Sequence, residues 1–363
     1  MKILVIKFRH IGDVLLSSPL AKNLKDAYPN STVDFLVNAE SKETLTLNPY
    51  IDNVLTYERK KAKSAGALGR LKYELALANL VRKMDYDIVI NTTEGERGGY
   101  IALFSGAKIR VGVASKKGVF AKFSPYTLQY SSKQTHIVEK NLDALRTMGL
   151  EPSYKKVKLY FDGQSEKRAL ELLGDTEKFV QFHPTSRWFF KCLSPAQNAE
   201  IIDFLEALGV RVVITAAPDA KELKMVDEIL ALCKSAPVNL AGKLSLKELA
   251  ALSKKANLFF GVDTAAMHIA AAQNTPCIAL FGPSGAFEWG AWDNDEERSG
   301  YSAKNGVQRM GKHTILQTPW DCAPCGKDGC EGTKKSKCLL EYPTQFIKSE
   351  LARAISDALR ANI

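Results

Sequence analysis

Two doubly wound α/β halves are what this sequence predicts, on three observations. Short β-branched runs alternate with helical stretches from end to end, the pattern of parallel sheets covered by helices on both faces. The 363 residues exceed what one compact core usually organises. A segment carrying Pro152 and Gly163 interrupts the helical pattern and separates one such series from a second.

In the first series the strands fall at residues 2–6, 32–37, 53–56, 87–91 and 109–112, with helices between them and a further helix at 136–148. The break at 151–164 gives a first domain of residues 1–160 and a second of 161–342. Strands of the second series fall at 179–182, 211–215, 258–262 and 277–281, and helices at 195–208, 220–232, 246–254 and 264–272. A long irregular stretch follows, and residues 343–363 form a C-terminal helix of unassigned packing. Two such halves joined by one linker imply an interdomain cleft at the carboxyl ends of two sheets, where ligands of these folds bind.

Composition narrows the function classes. With 45% apolar and 25% charged residues the chain reads as a globular enzyme, not a disordered or fibrous protein. The net charge of +10 favours an anionic partner. Nucleic acid is not expected, because no aromatic RNP strand, Cys2His2 spacing or basic zipper is present. No apolar run approaches the ~20 residues that span a bilayer, and the start is too short for a signal-peptide core, so a cytoplasmic location is expected. There the seven cysteines should be thiols or metal ligands.

Three clusters follow strands and carry chemistry. In the first, Lys7, Arg9 and His10 crowd a turn in which Gly12 permits a tight bend and Asp13 falls in the first helical turn. Asp13 could cap free amides, or serve as general base for an acceptor hydroxyl. The second runs from His183 through Thr185, Ser186, Arg187 and Lys191 to Ser194. Its hydroxyls and cations suit a diphosphate, although an ordinary loop ending in a Ser194-Pro195 helix start reads the same way. In the third, Asp263 and Thr264 leave a buried strand, so a helix N-terminus would present its amides to an anion. Ala265 and Ala266 leave room for a phosphate, and His268 shares a helical face with Thr264.

These motifs, with Phe281-Gly282-Pro283-Ser284, together resemble the ADP-heptose:lipopolysaccharide heptosyltransferases of glycosyltransferase family 9. The likeness runs in order over most of the chain. Phe190-Lys191-Cys192 and a tail from Cys322-Ala323-Pro324-Cys325 to Lys337-Cys338-Leu339 are most similar to the heptosyltransferase III branch.

The resemblance implies a GT-B fold of two Rossmann-like domains, the first binding acceptor and the second donor. It implies inverting, metal-independent transfer of L-glycero-D-manno-heptose from ADP-heptose to a heptose of the Gram-negative lipopolysaccharide inner core, with no cofactor, at the cytoplasmic face of the inner membrane. Asp13 would be the base and Lys191 would meet the donor phosphates, joined by Thr185 and Ser186. Asp263, Thr264, Ala265 and Ala266 would surround diphosphate and heptose, Glu222 the ribose, and Leu244 the adenine. His268 matches the histidine that closes the family motif. Ala265 stands where glycine is often found, and Lys191 is spaced from Arg187 slightly differently than in heptosyltransferase I. A GT-B transferase of another nucleotide sugar, an epimerase and an inactive nucleotide-sugar-binding protein remain alternatives.

Further signals are open or discounted. Asp85-Tyr86-Asp87 and Asp293-Asn294-Asp295 spell the metal-binding Asp-x-Asp, but one precedes a strand and the other lies in an irregular loop. Cys322, Cys325, Cys330 and Cys338 have the number for a zinc site with spacings tighter than usual, so a structural metal stays open. The basic residues Lys60, Lys61, Lys63, Lys116 and Lys117 are either a solvated face or the holders of a phosphorylated acceptor and of the anionic inner-membrane surface.

Overall fold

The computed structural model describes residues 1–115, 118–131 and 135–360. It divides into two compact units, Met1–Tyr160 and Phe161–Ile363.

The first unit contains strands β1 (Lys2–Lys7), β2 (Thr32–Asn38), β3 (Asn53–Tyr57), β4 (Ile88–Asn91), β5 (Ile109–Val113) and β6 (Leu128–Tyr130). Its helices are α1 (Ile11–Leu15), α2 (Pro19–Ala27), α3 (Arg59–Ser64), α4 (Gly66–Lys83), α5 (Glu96–Phe104) and α6 (Ile137–Thr147). The sheet is parallel throughout, in the order β3-β2-β1-β4-β5-β6. Because strand side chains alternate, Leu4, Ile6, Leu36 and Val89 share a core with Leu77 and Val81 of α4 and Ile101 of α5. Ile3 and Val5, also fully buried, point the other way. The connection reverses direction between β1 and β4, and the carboxyl ends of these neighbours form the crevice where open α/β sheets bind ligands.

The second unit contains β7 (Phe179–His183), β8 (Arg211–Ile214), β9 (Val238–Asn239), β10 (Leu258–Val262), β11 (Cys277–Phe281), β12 (Val307–Met310) and β13 (His313–Gln317). Its helices are α7 (Gly163–Leu173), α8 (Pro195–Ala207), α9 (Ala220–Leu232), α10 (Leu246–Lys255), α11 (Ala265–Ala272), α12 (Ala286–Trp289), α13 (Lys337–Leu340) and α14 (Thr344–Arg360). The order is β12-β13-β11-β10-β7-β8-β9, parallel except for the antiparallel β12–β13 pair. Val180, Phe182, Val212 and Ile214 pack with α8, α9 and Ile347 and Leu351 of α14, while Phe179 and Val213 pack with α7 and α10. The C-terminal helix is thus part of this unit's core. The switch point lies between β7 and β10. A Cβ at Gly261 would come within 2.6 Å of the His183 carbonyl, so glycine lets these two strand ends approach.

The stretch expected to be irregular after β11 corrects the sequence reading, since it holds the hairpin of β12 and β13 that extends the sheet. Both Asp-x-Asp tripeptides are absorbed by the fold. Asp87 accepts the Lys2 amide, and Asp293 accepts the amides of Asp295, Glu296 and Lys312.

Candidate active site

In the first unit the crevice is built around a buried cation. Lys7 ends β1, and its ammonium donates to the Thr92 carbonyl at 3.0 Å and to Asn141 Oδ1 at 2.9 Å. Asn141 in turn donates to the Leu16 carbonyl at 3.0 Å, at the end of α1, so Lys7, α6 and α1 are held in one network. Burial lowers the Lys7 pKa to about 8, with the nearby Asp13 charge acting in the opposite sense. The Phe8 amide is bonded to Thr93 Oγ1 at 2.8 Å, and Asn38 reaches the Arg9 carbonyl at 2.9 Å, fixing the loop across β4 and β2.

Asp13 lies on α1, partly exposed, and its carboxylate accepts no hydrogen bond among the described residues. The capping alternative therefore fails: α1 begins at His10 without a side-chain cap. A carboxylate that is not spent on amides keeps its lone pairs for an incoming hydroxyl.

The second unit gathers two pairs. At the switch point Lys191 Nζ lies 2.5 Å from Asp263 Oδ2. Burial favours the neutral acid at Asp263, yet Lys191, a hydrogen bond from Ser284 and the nearby His268 outweigh it and hold the pKa below the ordinary carboxylate value. Thr264 caps α11 by position but not through its side chain; Ala265 is partly exposed and Ala266 and His268 are buried along the same helix. One strand over, Thr185 Oγ1 donates to Glu222 Oε2 at 2.8 Å, and the Ala217 amide reaches the same oxygen at 3.4 Å. Ser186 accepts the Trp188 amide, forming the turn that leads to Lys191. Leu244 is half-buried against the core that holds Leu240 and Leu252, in the loop that the Gly242–Ala216 backbone bond ties to the end of β8.

His183, in the same sequence cluster, points elsewhere. It is buried against Thr215 at 2.9 Å, and burial lowers its pKa to about 4, so it stays neutral at neutral pH. The sequence reading assigned no role to Ser284 or Asn141; neither residue type at those positions signals that it will meet a charged partner. Lys60, Lys61 and Lys63 lie exposed on α3, whereas Lys116 and Lys117 lie outside the described residues. Cys322, Cys325, Cys330 and Cys338 form no disulfide among the described residues. Burial together with the other three pushes Cys338 up to about 11. Among the described residues no group of three His, Cys, Asp or Glu side chains is arranged to hold a metal ion.

Two doubly wound α/β units give the chain the GT-B fold of glycosyltransferases. The chain belongs to glycosyltransferase family 9 (heptosyltransferase), whose sequence profile matches residues 74–317. It is 34% identical over 291 residues to lipopolysaccharide heptosyltransferase 3 of Escherichia coli (strain K12), covering 78% of this chain and 83% of that one. Its fold is similar to that of a family 9 glycosyl transferase from Veillonella parvula, with TM-score 0.79 and 22% identity over 99% of this chain and 97% of the other. It is similar also to E. coli ADP-heptose lps heptosyltransferase II, with TM-score 0.74 and 20% identity over the whole of both chains.

Proposed function

We propose that this protein transfers L-glycero-D-manno-heptose from ADP-heptose to a heptose of the lipopolysaccharide inner core, inverting the anomeric carbon and using no metal. The relatives' names support the sugar and the acceptor class. The observation that carries the chemistry is the contrast between Asp13, a carboxylate without a hydrogen-bond donor among the described residues, and the Lys191–Asp263 pair.

In this reading Asp13 takes the proton of an acceptor hydroxyl as its oxygen bonds to the anomeric carbon. The bond from that carbon to the diphosphate breaks, and its electron pair leaves with ADP. Charge grows on the diphosphate only as the bond breaks, so the Lys191 ammonium and the α11 amides act mainly in the transition state. Asp263 holds the ammonium in place, Thr264, Ala265 and Ala266 leave space beside it, and His268 packs behind. Glu222, oriented by Thr185 next to Ser186, accepts from the ribose hydroxyls, and Leu244 lies against adenine. Lys60, Lys61 and Lys63 attract the phosphorylated acceptor.

Incubation with ADP-heptose and a truncated core acceptor, followed by mass spectrometry, tests this. One added heptose, undiminished by a chelator, is expected. Transfer only from a UDP- or GDP-sugar would move the assignment to another donor, and tight ADP binding without transfer would favour a binding protein.

A further inference from the structure

Helix α4 presents apolar side chains to solvent on the face opposite its core contacts. Leu77 and Val81 face inward, with Tyr73 beside them, and Glu74 is held by Tyr57 at 2.7 Å and Arg97 at 3.0 Å. A helical turn away, Leu68, Leu71 and Leu75 are 78%, 56% and 56% exposed. Their spacing of three and four residues aligns them as one stripe. Single exposed leucines need no explanation, but a stripe on one helix marks a contact surface.

The surrounding charge identifies the contact. Residues 59–83 carry eight basic residues and a single acidic one, Glu74, which is already paired. Lys72, Arg82 and Lys83 are exposed on α4 as well, and α3, packed against α4, adds Lys60, Lys61 and Lys63. Leucines flanked by cations form the arrangement with which a helix lies in the interface of an anionic bilayer. No helix among the described residues is long and apolar enough to cross a membrane, so this contact would be peripheral.

We infer that α3 and α4 dock the protein on an anionic lipid surface, with Leu68, Leu71 and Leu75 entering the interface and the lysines and arginines meeting headgroup phosphates. It deepens the transferase reading, because an acceptor carried on lipid would then be met at the membrane. The binding itself is measured without turnover, so its failure leaves the transfer reaction standing.

Co-sedimentation with phosphatidylcholine vesicles, with and without phosphatidylglycerol, tests the assignment. The wild type should bind the anionic vesicles, and L68S/L71S/L75S should lower the partition coefficient about tenfold or more. That variant should keep wild-type turnover on a water-soluble truncated acceptor, which also establishes that it folds. Added salt should weaken the wild type's binding. Equal binding by wild type and variant overturns the proposal, as does a wild type that ignores anionic vesicles. A wild-type dimer that the three serines dissociate, without vesicle binding, would assign the stripe to a second copy of the chain and also overturn it.

Discussion

The two units solve the same electrostatic problem in opposite ways. Each brings a lysine and an aspartate to the switch point of a parallel sheet. In the first, Lys7 is buried and bound to a carbonyl and an amide oxygen, and Asp13 has no hydrogen-bond partner among the described residues. In the second, Lys191 is bound directly to Asp263. In the proposed reading, a carboxylate whose neighbouring cation is engaged elsewhere keeps its lone pairs for an acceptor proton, which suits a base. A cation locked to a carboxylate is pre-oriented for charge that develops later, which suits a leaving diphosphate. In the proposed reading the same two residue types thus take different roles according to whether they touch.

Substitutions should separate these roles. The largest effect is expected at Asp13, where Asp13→Ala should lower kcat roughly a thousandfold if it is the general base. Lys191→Met should cost on the order of a hundredfold in kcat. It would also leave the Asp263 carboxylate buried beside Ser284 without its cation, so a lower Tm should accompany the loss.

The third test sharpens the contrast through pH. Lys7 loses its proton near pH 8 in the folded protein and near 10.5 when unfolded. Activity should therefore fall on the alkaline side through a pKa of about 8, and Lys7→Met should lack that limb. Between these two values the unfolded chain binds more protons, so Lys7's contribution to stability should rise with pH across this window, by thermal unfolding of wild type against Lys7→Met. The smallest effect is expected from Thr185→Val. It removes one donor to the buried Glu222, and calorimetry should find ADP affinity reduced about tenfold.

Much of the fold was readable because buried parallel strands such as Phe259-Phe260-Gly261-Val262 are apolar runs with few polar interruptions. The β12–β13 hairpin escaped because its buried positions include Gln308, His313, Thr314 and Gln317, whose polarity imitates a loop. Gln317 Nε2 donates to the carbonyls of Gly282 and Ser284, which no local pattern announces. The turn at Gly311-Lys312, with Gly311 at φ +51°, was the one available hairpin signal.

For the site, position after a strand picked out the clusters around Asp13, Lys191 and Asp263. Who pairs with whom was not legible. Lys191 and Asp263 are 72 residues apart, and Lys7 meets Asn141 across 134. Such partnerships depend on strand order, which a single sequence does not record. The outward turn of the α4 leucines was hidden for a related reason: leucine occurs on both faces of that helix, and only packing reveals which face is covered.

The division of labour between the units is tested most directly by measuring ADP affinity calorimetrically for Asp13→Ala and Lys191→Met side by side. The expected result is a wild-type Kd for Asp13→Ala and a weakened one for Lys191→Met. Equal weakening of both, or ADP binding that depends on Asp13 alone, would contradict the assignment of base and diphosphate site to separate units.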